Sequence, residues 1–328
     1  MAEAATATRR RAPRARLPEL TKMERVRAAV RGHEVDRVPF CFWHHFKPRA
    51  NPHALAQATI EFFGGFDLDI FKIMPDIPYP FPDNSIHRGE DWYLLPETGP
   101  WEGNFGRQLQ TVQLLRELLG DEAPILLTVF SPITYAMRFG GRDRIREHMT
   151  EHPVDLHAGL GVISRNLATS CEAAIDVGAD GIFLAVQGAG DSLLTPAEYA
   201  EFARPYELHV LRASLGGWLT TLHVHAASGL DIEPFLAYPA PVLSWSDRLT
   251  GISLRDVRRK APEKCLMGGL SERGPITNGT ASQILAEMKD ALAQTDGGRR
   301  FILANGCSVP DDTPEDKLRL AREQVDKL

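Results

Sequence analysis

Eight short apolar runs, at 37–42, 68–74, 124–130, 181–186, 218–222, 242–245, 265–267 and 301–304, alternate with segments whose apolar residues recur at helical spacing. Runs that are apolar on both faces suit strands buried on both sides, which is the situation in a parallel sheet covered by helices. Eight strand–helix units is the count of a (β/α)8 barrel. The helical segments carry their own punctuation. Met23, Val26, Ala29 and Val30 share a face closed by Gly32, and further helices are expected over 52–63 and 109–119. A long stretch broken near Pro153 reaches Gly178. Thr195-Pro196-Ala197-Glu198 has the Thr N-cap, Pro at the first position and Glu at the third that open a helix running to Leu215. Thr313-Pro314-Glu315 is a second start of the same kind. The expected fold is therefore α/β, a single TIM-type barrel with a short N-terminal helical extension. A doubly wound open sheet is the alternative, but the chain has neither G-x-G-x-x-G after its first strand nor G-x-x-x-x-G-K-[ST] anywhere.

The 328 residues fit one such barrel, expected over 19–328, behind a basic tail at 1–18 that holds Arg9, Arg10, Arg11, Arg14 and Arg16 and is expected to be disordered. With 37 basic against 43 acidic side chains the net charge is −6, which argues against nucleic acid or an anionic membrane as partner and in favour of a small-molecule substrate. No window of about 18 uncharged apolar residues occurs, so no membrane span is expected. Cys41, Cys171, Cys265 and Cys307 are too scattered for a disulfide framework and fit a reducing cytoplasm.

In a barrel the chemistry sits where the strands end, so the residues just after each run carry the functional weight. They are Trp43, His44 and His45 after the first strand, Asp76 after the second, Tyr135 after the third and Gln187 after the fourth. His223 and His225 end the fifth, Asp247 follows the sixth, Gly269 the seventh and Cys307 the eighth. His223 and His225, two apart on an extended segment, share one face. With Cys307 they make two nitrogens and a sulfur with room for a fourth ligand, a set that zinc accepts in catalytic sites. Hydrogen-bonded core histidines are the alternative reading of the pair. His44 and His45 suit acid–base work, and Asp76 suits a substrate cation or donor. Trp43, Tyr135 and Gln187 suit a substrate wall, while Asp247 suits substrate contact or orientation of a histidine. The Pro-, Asp- and aromatic-rich segment from 75 to about 105 is long enough to be a lid or substrate wall. Cys41, Cys171 and Cys265 are expected to be core.

The stretch MERVRAAVRGHEVDRVP at 23–39, Gly178-Ala179-Asp180-Gly181-Ile182, Leu222-His223-Val224-His225 and GCSVPDDTPE at 306–315 resemble the uroporphyrinogen decarboxylase superfamily over roughly residues 21–326. That resemblance implies one of two chemistries. Cofactor-free decarboxylases of the superfamily hold the pyrrole N–H groups with an aspartate that Asp76 matches. Their Arg-Gln-Ala-Gly-Arg grip on substrate carboxylates reads here Trp43-His44-His45-Phe46-Lys47-Pro48-Arg49, so only Lys47 and Arg49 could stand in for it. Zinc-dependent methyltransferases of the superfamily move a methyl group between a corrinoid protein and a thiol, with zinc on His-x-Cys and a distal Gly-Cys. His223 and Cys307 match these ligands, and His225 replaces the middle cysteine. The resemblance thus implies Zn2+ and a separate corrinoid protein, or no cofactor for a decarboxylase. A non-catalytic barrel binding a tetrapyrrole or corrinoid is a third outcome. A homodimer is left open.

Overall fold

A computed structural model describes residues 18–46, 51–190 and 193–328. Of the tail expected at 1–18, only Pro18 is among them. Eight strands form one parallel sheet: β1 (Phe40–Cys41), β2 (Phe71–Ile73), β3 (Ile125–Phe130), β4 (Gly181–Val186), β5 (Thr221–Val224), β6 (Val242–Trp245), β7 (Cys265–Leu270) and β8 (Phe301–Asn305). Their order is β1-β8-β7-β6-β5-β4-β3-β2, each consecutive pair parallel, with helices in the crossovers. Cys41, Cys171 and Cys265 are buried, as expected of core thiols. This is the (β/α)8 barrel anticipated from the count of apolar runs.

Local chemistry explains where the elements start and stop. Thr21 caps the first helix, Lys22–Arg31, in a reciprocal capping box with Glu24, and Gly32 ends it at φ 76°, where only glycine is unstrained. Thr195 forms the same box with Glu198. The second Thr-Pro start behaves differently: the last helix, Glu315–Val325, has Pro314 at its N-cap, and the Thr313 hydroxyl donates to Pro310 O instead. The long stretch breaks twice, into Pro132–Gly140, Arg142–Glu151 and Pro153–Asp176, because Gly141 at φ 82° interrupts it before Pro153 does. The segment from 195 splits into Pro196–Phe202 and Arg204–Ala213, where Pro205 brings no amide hydrogen to continue the ladder.

Four strands differ from the sequence reading; of the run 68–74, β2 keeps only Phe71–Ile73. β1 shrinks to two residues because Pro39 has no N–H, although its carbonyl still accepts from Leu303 N–H at 2.9 Å. β5 starts later than expected, since Gly217 to Thr220 close a turn, so His223 lies inside the strand rather than after it. β7 extends through both glycines, so Gly269 also lies inside a strand. A Cβ at Gly268 would sit 2.9 Å from Asp247 Oδ1, and one at Gly269, held at φ 102°, would sit 2.7 Å from Ala291 Cβ, so the strand has room only for glycine there.

Between β1 and β2 the closure rests on one aspartate. Asp69, fully buried, receives Arg25 Nη1 at 2.8 Å, Arg37 Nη1 at 2.6 Å and the Phe40 N–H at 2.8 Å, while its own N–H donates to Phe40 O at 2.9 Å. Arg25 also grips Asp36 through Nε at 2.8 Å and Nη2 at 2.6 Å. These groups lie at the amino ends of the strands, opposite the mouth.

Candidate metal centre

β5 and β8 bring the metal-capable residues together. One ligand atom from each of His223, His225 and Cys307 lies within 4.8 Å of the others, and Cys307 Sγ is 3.3 Å from His225 Nδ1. Zinc bonds of about 2.0–2.3 Å in a tetrahedron separate ligand atoms by about 3.4–3.8 Å, so the triad needs to close by only about 1 Å at its widest. The donor set fits the ion in number and kind. His223 is buried on β5, paired in register with Ala185 on β4 and Ser244 on β6. Ser244 Oγ lies 3.2 Å from its Nδ1 and fixes the ring, the part that a partner behind a ligating histidine plays. Burial, then the neighbouring His225 and Lys72, hold the His223 imidazole well below its usual range, which keeps it in the neutral form that can ligate. Burial, then Glu272, push the Cys307 thiol up to about 11, so this sulfur stays protonated until a cation arrives.

An aromatic floor closes the site from below. Phe183 on β4 stacks on His223 with centroids 5.1 Å apart and planes at 25°, and Trp43 meets the same ring edge-on at 6.4 Å. Under them lies Lys72 from β2. Its Nζ is 4.2 Å from the Phe183 centroid and 5.1 Å from that of Trp43, and it donates to Thr128 Oγ1 at 2.7 Å. It is 1% exposed, and burial pushes its ammonium down to about 7.

The sequence model of the family described as Uroporphyrinogen decarboxylase (URO-D) matches residues 70–328, which include every residue of this triad and its floor except Trp43. The chain belongs to the uroporphyrinogen decarboxylase family. Within that family it resembles proteins of both chemistries. A uroporphyrinogen decarboxylase of Prochlorococcus marinus (strain MIT 9303) is 26% identical, with 97% of this chain and 96% of that one covered. The methylcobamide:CoM methyltransferase MtbA of Methanosarcina mazei is 23% identical, covering 92% of this chain and 82% of its own length. A solved structure of a methyltransferase from Methanosarcina mazei shares the fold at a TM-score of 0.77 and 20% identity, over 94% of this chain and 99% of that one. The relatives and the family model all bear names of enzymes, and this chain is a URO-D-family barrel enzyme.

The remaining residues singled out in the sequence divide around this centre. Asp76 is buried at the end of β2, its Oδ2 accepting the Phe46 N–H at 3.0 Å and its Oδ1 3.5 Å from His45 Nδ1. His45 is exposed, while His44 is half-buried against Phe62 and Phe46, its Nδ1 3.6 Å from Asp311, and burial lowers its pKa. Tyr135 is buried against Tyr79 at 4.8 Å, on the helix Pro132–Gly140. Gln187, half-buried, follows β4. Asp247 accepts the Gly269 N–H at 2.9 Å and faces Arg248 at 3.3 Å; it is Ser244 that lies against His223. Lys47 and Arg49 lie outside the described residues. In the long loop after β2, Trp92 donates to His148 Nδ1 at 2.9 Å and wedges under Gly159, where a Cβ would meet its ring at 2.4 Å.

Two residues were missed from sequence. Lys72 stands inside the apolar run 68–74, and a lone lysine in a strand buried on both faces was the available signal. Glu272, two residues past β7, had only its place after Gly268-Gly269-Leu270-Ser271 to mark it. It is 4% exposed, and Ser246 Oγ donates to its Oε1 at 2.6 Å.

Proposed function

We propose that this barrel is a zinc-dependent methyltransferase that moves a methyl group from a donor, a methyl-corrinoid carried on a separate protein, to a thiol-type acceptor. The supporting observation is the convergence of His223, His225 and Cys307 at the carboxyl ends of β5 and β8. Zinc held there would act as a Lewis acid, lowering the proton affinity of a thiol placed at the fourth position. The chain's own residues prepare the rest. Ser244 orients His223, burial keeps that imidazole neutral, and Trp43 and Phe183 exclude water from the lower side of the triad. An imidazole at 225 in place of a thiolate leaves the centre one negative charge short of the relatives' pattern. Acceptor acidity is thereby favoured over acceptor nucleophilicity. Asp247, Gln187 and Tyr135 would line the acceptor and donor space, with His44 and His45 at its rim.

Methylcobalamin mixed with zinc-loaded protein and a small thiol tests this: demethylation followed by the cobalamin spectrum is expected, and Cys307→Ala should lower its rate at least 100-fold. No demethylation by the loaded wild type overturns the reading.

A second reading, tetrapyrrole decarboxylation without metal, is favoured by Asp76, which is buried at the end of β2 beside His45. Uroporphyrinogen turnover by metal-free protein, abolished in Asp76→Asn, would establish it instead.

A further inference from the structure

Two acceptor oxygens are buried without a partner beside the triad. Glu272 Oε2 and Asn305 Oδ1 are both shut off from solvent, and neither has a hydrogen-bond partner among the described residues. They bracket one short turn. Asn305 ends β8, and its amide nitrogen donates to Trp43 O and to Cys307 O. Glu272 reaches the next residue along: a Cβ at Gly306 would lie 2.9 Å from its Oε2 and 2.7 Å from Ser246 Cα. Gly306 is therefore the residue that lets a carboxylate come up against the turn that delivers Cys307.

A buried carboxylate oxygen with no donor has lost its hydration with nothing in return, and such a group in a folded protein calls for an explanation. The neighbouring acid does not share the problem, because Asp247 is satisfied by the Gly269 N–H and Arg248. Glu272 has Ser246 on one oxygen and nothing on the other. It also stands outside the set of mutually close ligand atoms, so it flanks the candidate metal rather than joining the triad. The missing partner must bring hydrogen-bond donors and, facing a carboxylate, positive charge. An ammonium group has three donors and that charge.

We propose that Glu272 Oε2 is the receptor for an ammonium group on the methyl acceptor, and that the acceptor is an aminothiol whose sulfur sits beside Cys307. Resting on the methyltransferase reading above, this names its substrate class. Glu272 acts by binding and orientation; the transferred methyl group never touches it.

The test uses the full chain loaded with Co2+, whose sulfur-to-metal absorption reports thiol binding without turnover. Cysteamine and 2-mercaptoethanol, which differ by an ammonium in place of a hydroxyl, are titrated into wild type and Glu272→Gln. The ratio of their affinities is compared between the two proteins, which cancels the difference in thiol acidity. The Gln variant keeps the shape and can still accept from Ser246. The expected result is a wild-type preference for cysteamine that falls at least 10-fold in Glu272→Gln, with cobalt stoichiometry unchanged. The same ratio in both proteins overturns the proposal and leaves the methyltransferase reading standing. If Glu272→Gln fails to load cobalt, Glu272→Asp decides: a preference retained in part supports the proposal, and one undiminished by the shortened carboxylate overturns it. A wild type that binds cobalt but neither thiol overturns the acceptor reading and this proposal with it.

Discussion

Two charged residues three positions apart on one strand segment meet opposite fates. Asp69, at the amino end of β2, is fully buried and saturated: two arginines and a backbone amide occupy its oxygens. Lys72, within β2, is equally buried and faces only a threonine hydroxyl, a methionine sulfur and two aromatic rings, with no carboxylate in salt-bridge contact among the described residues. The first charge closes the seam between β1 and β2. The second lies under the candidate metal centre, against the rings of Trp43 and Phe183. The barrel thus pairs its buried charge completely at the amino ends of the strands and leaves one without a carboxylate near the carboxyl ends, where barrel chemistry is generally placed.

The strongest way to break this contrast is at the amino ends of the strands. Asp69→Ala leaves Arg25 and Arg37 facing each other without their shared carboxylate, and is expected to destabilise the fold by about 3–5 kcal/mol. Denaturant unfolding measures it, and any folded fraction should still bind metal at full stoichiometry. A loss of metal binding in protein that remains folded would show that the two ends are not separable.

Beneath the candidate metal centre the same kind of substitution should do the opposite. The buried Lys72 ammonium is pushed down to about 7, whereas an unfolded lysine titrates near 10.4. Between those values the unfolded chain binds a proton that the native chain does not, so stability rises with pH across the window. The penalty is fully present below pH 7 and gone above the unfolded value. Lys72→Met should therefore be more stable than wild type by about 2–4 kcal/mol at pH 6, with the gain fading by pH 10.5. Chemical denaturation at the two pH values checks this, and a stability loss at pH 6 would mean that the lysine is a structural member after all.

A smaller effect sharpens the picture at the amino ends. Asp36→Asn removes one of the two carboxylates on Arg25 but leaves Asp69 in place, and should lower stability by about 1–2 kcal/mol. The shift in denaturant midpoint should be the same with and without zinc.

Much of this was legible in the sequence, because a parallel barrel writes its strands as continuous apolar runs. Val242–Trp245 and Gly181–Val186 fall where the pattern placed them. The strand ends were less legible where backbone chemistry rather than hydrophobicity decided them: Pro39 trims β1, and Gly268 and Gly269 prolong β7 because neighbours crowd the space of a side chain. His223, His225 and Cys307 could be grouped because each follows from a strand count. Glu272 could not, since what marks it is an unpaired oxygen against Gly306, a property of packing that no spacing records. Lys72 was visible as an anomaly, but its meaning depended on the rings that surround it.

The central claim is that the mouth triad holds a metal, and stoichiometry tests it most directly. Purified wild type, His225→Ala and Cys307→Ala, each verified as folded, are equilibrated with zinc, freed of excess and subjected to elemental analysis. The expected result is one zinc per wild-type chain, with a large loss in both variants. No zinc in the wild type, or full retention in both variants, would contradict the claim.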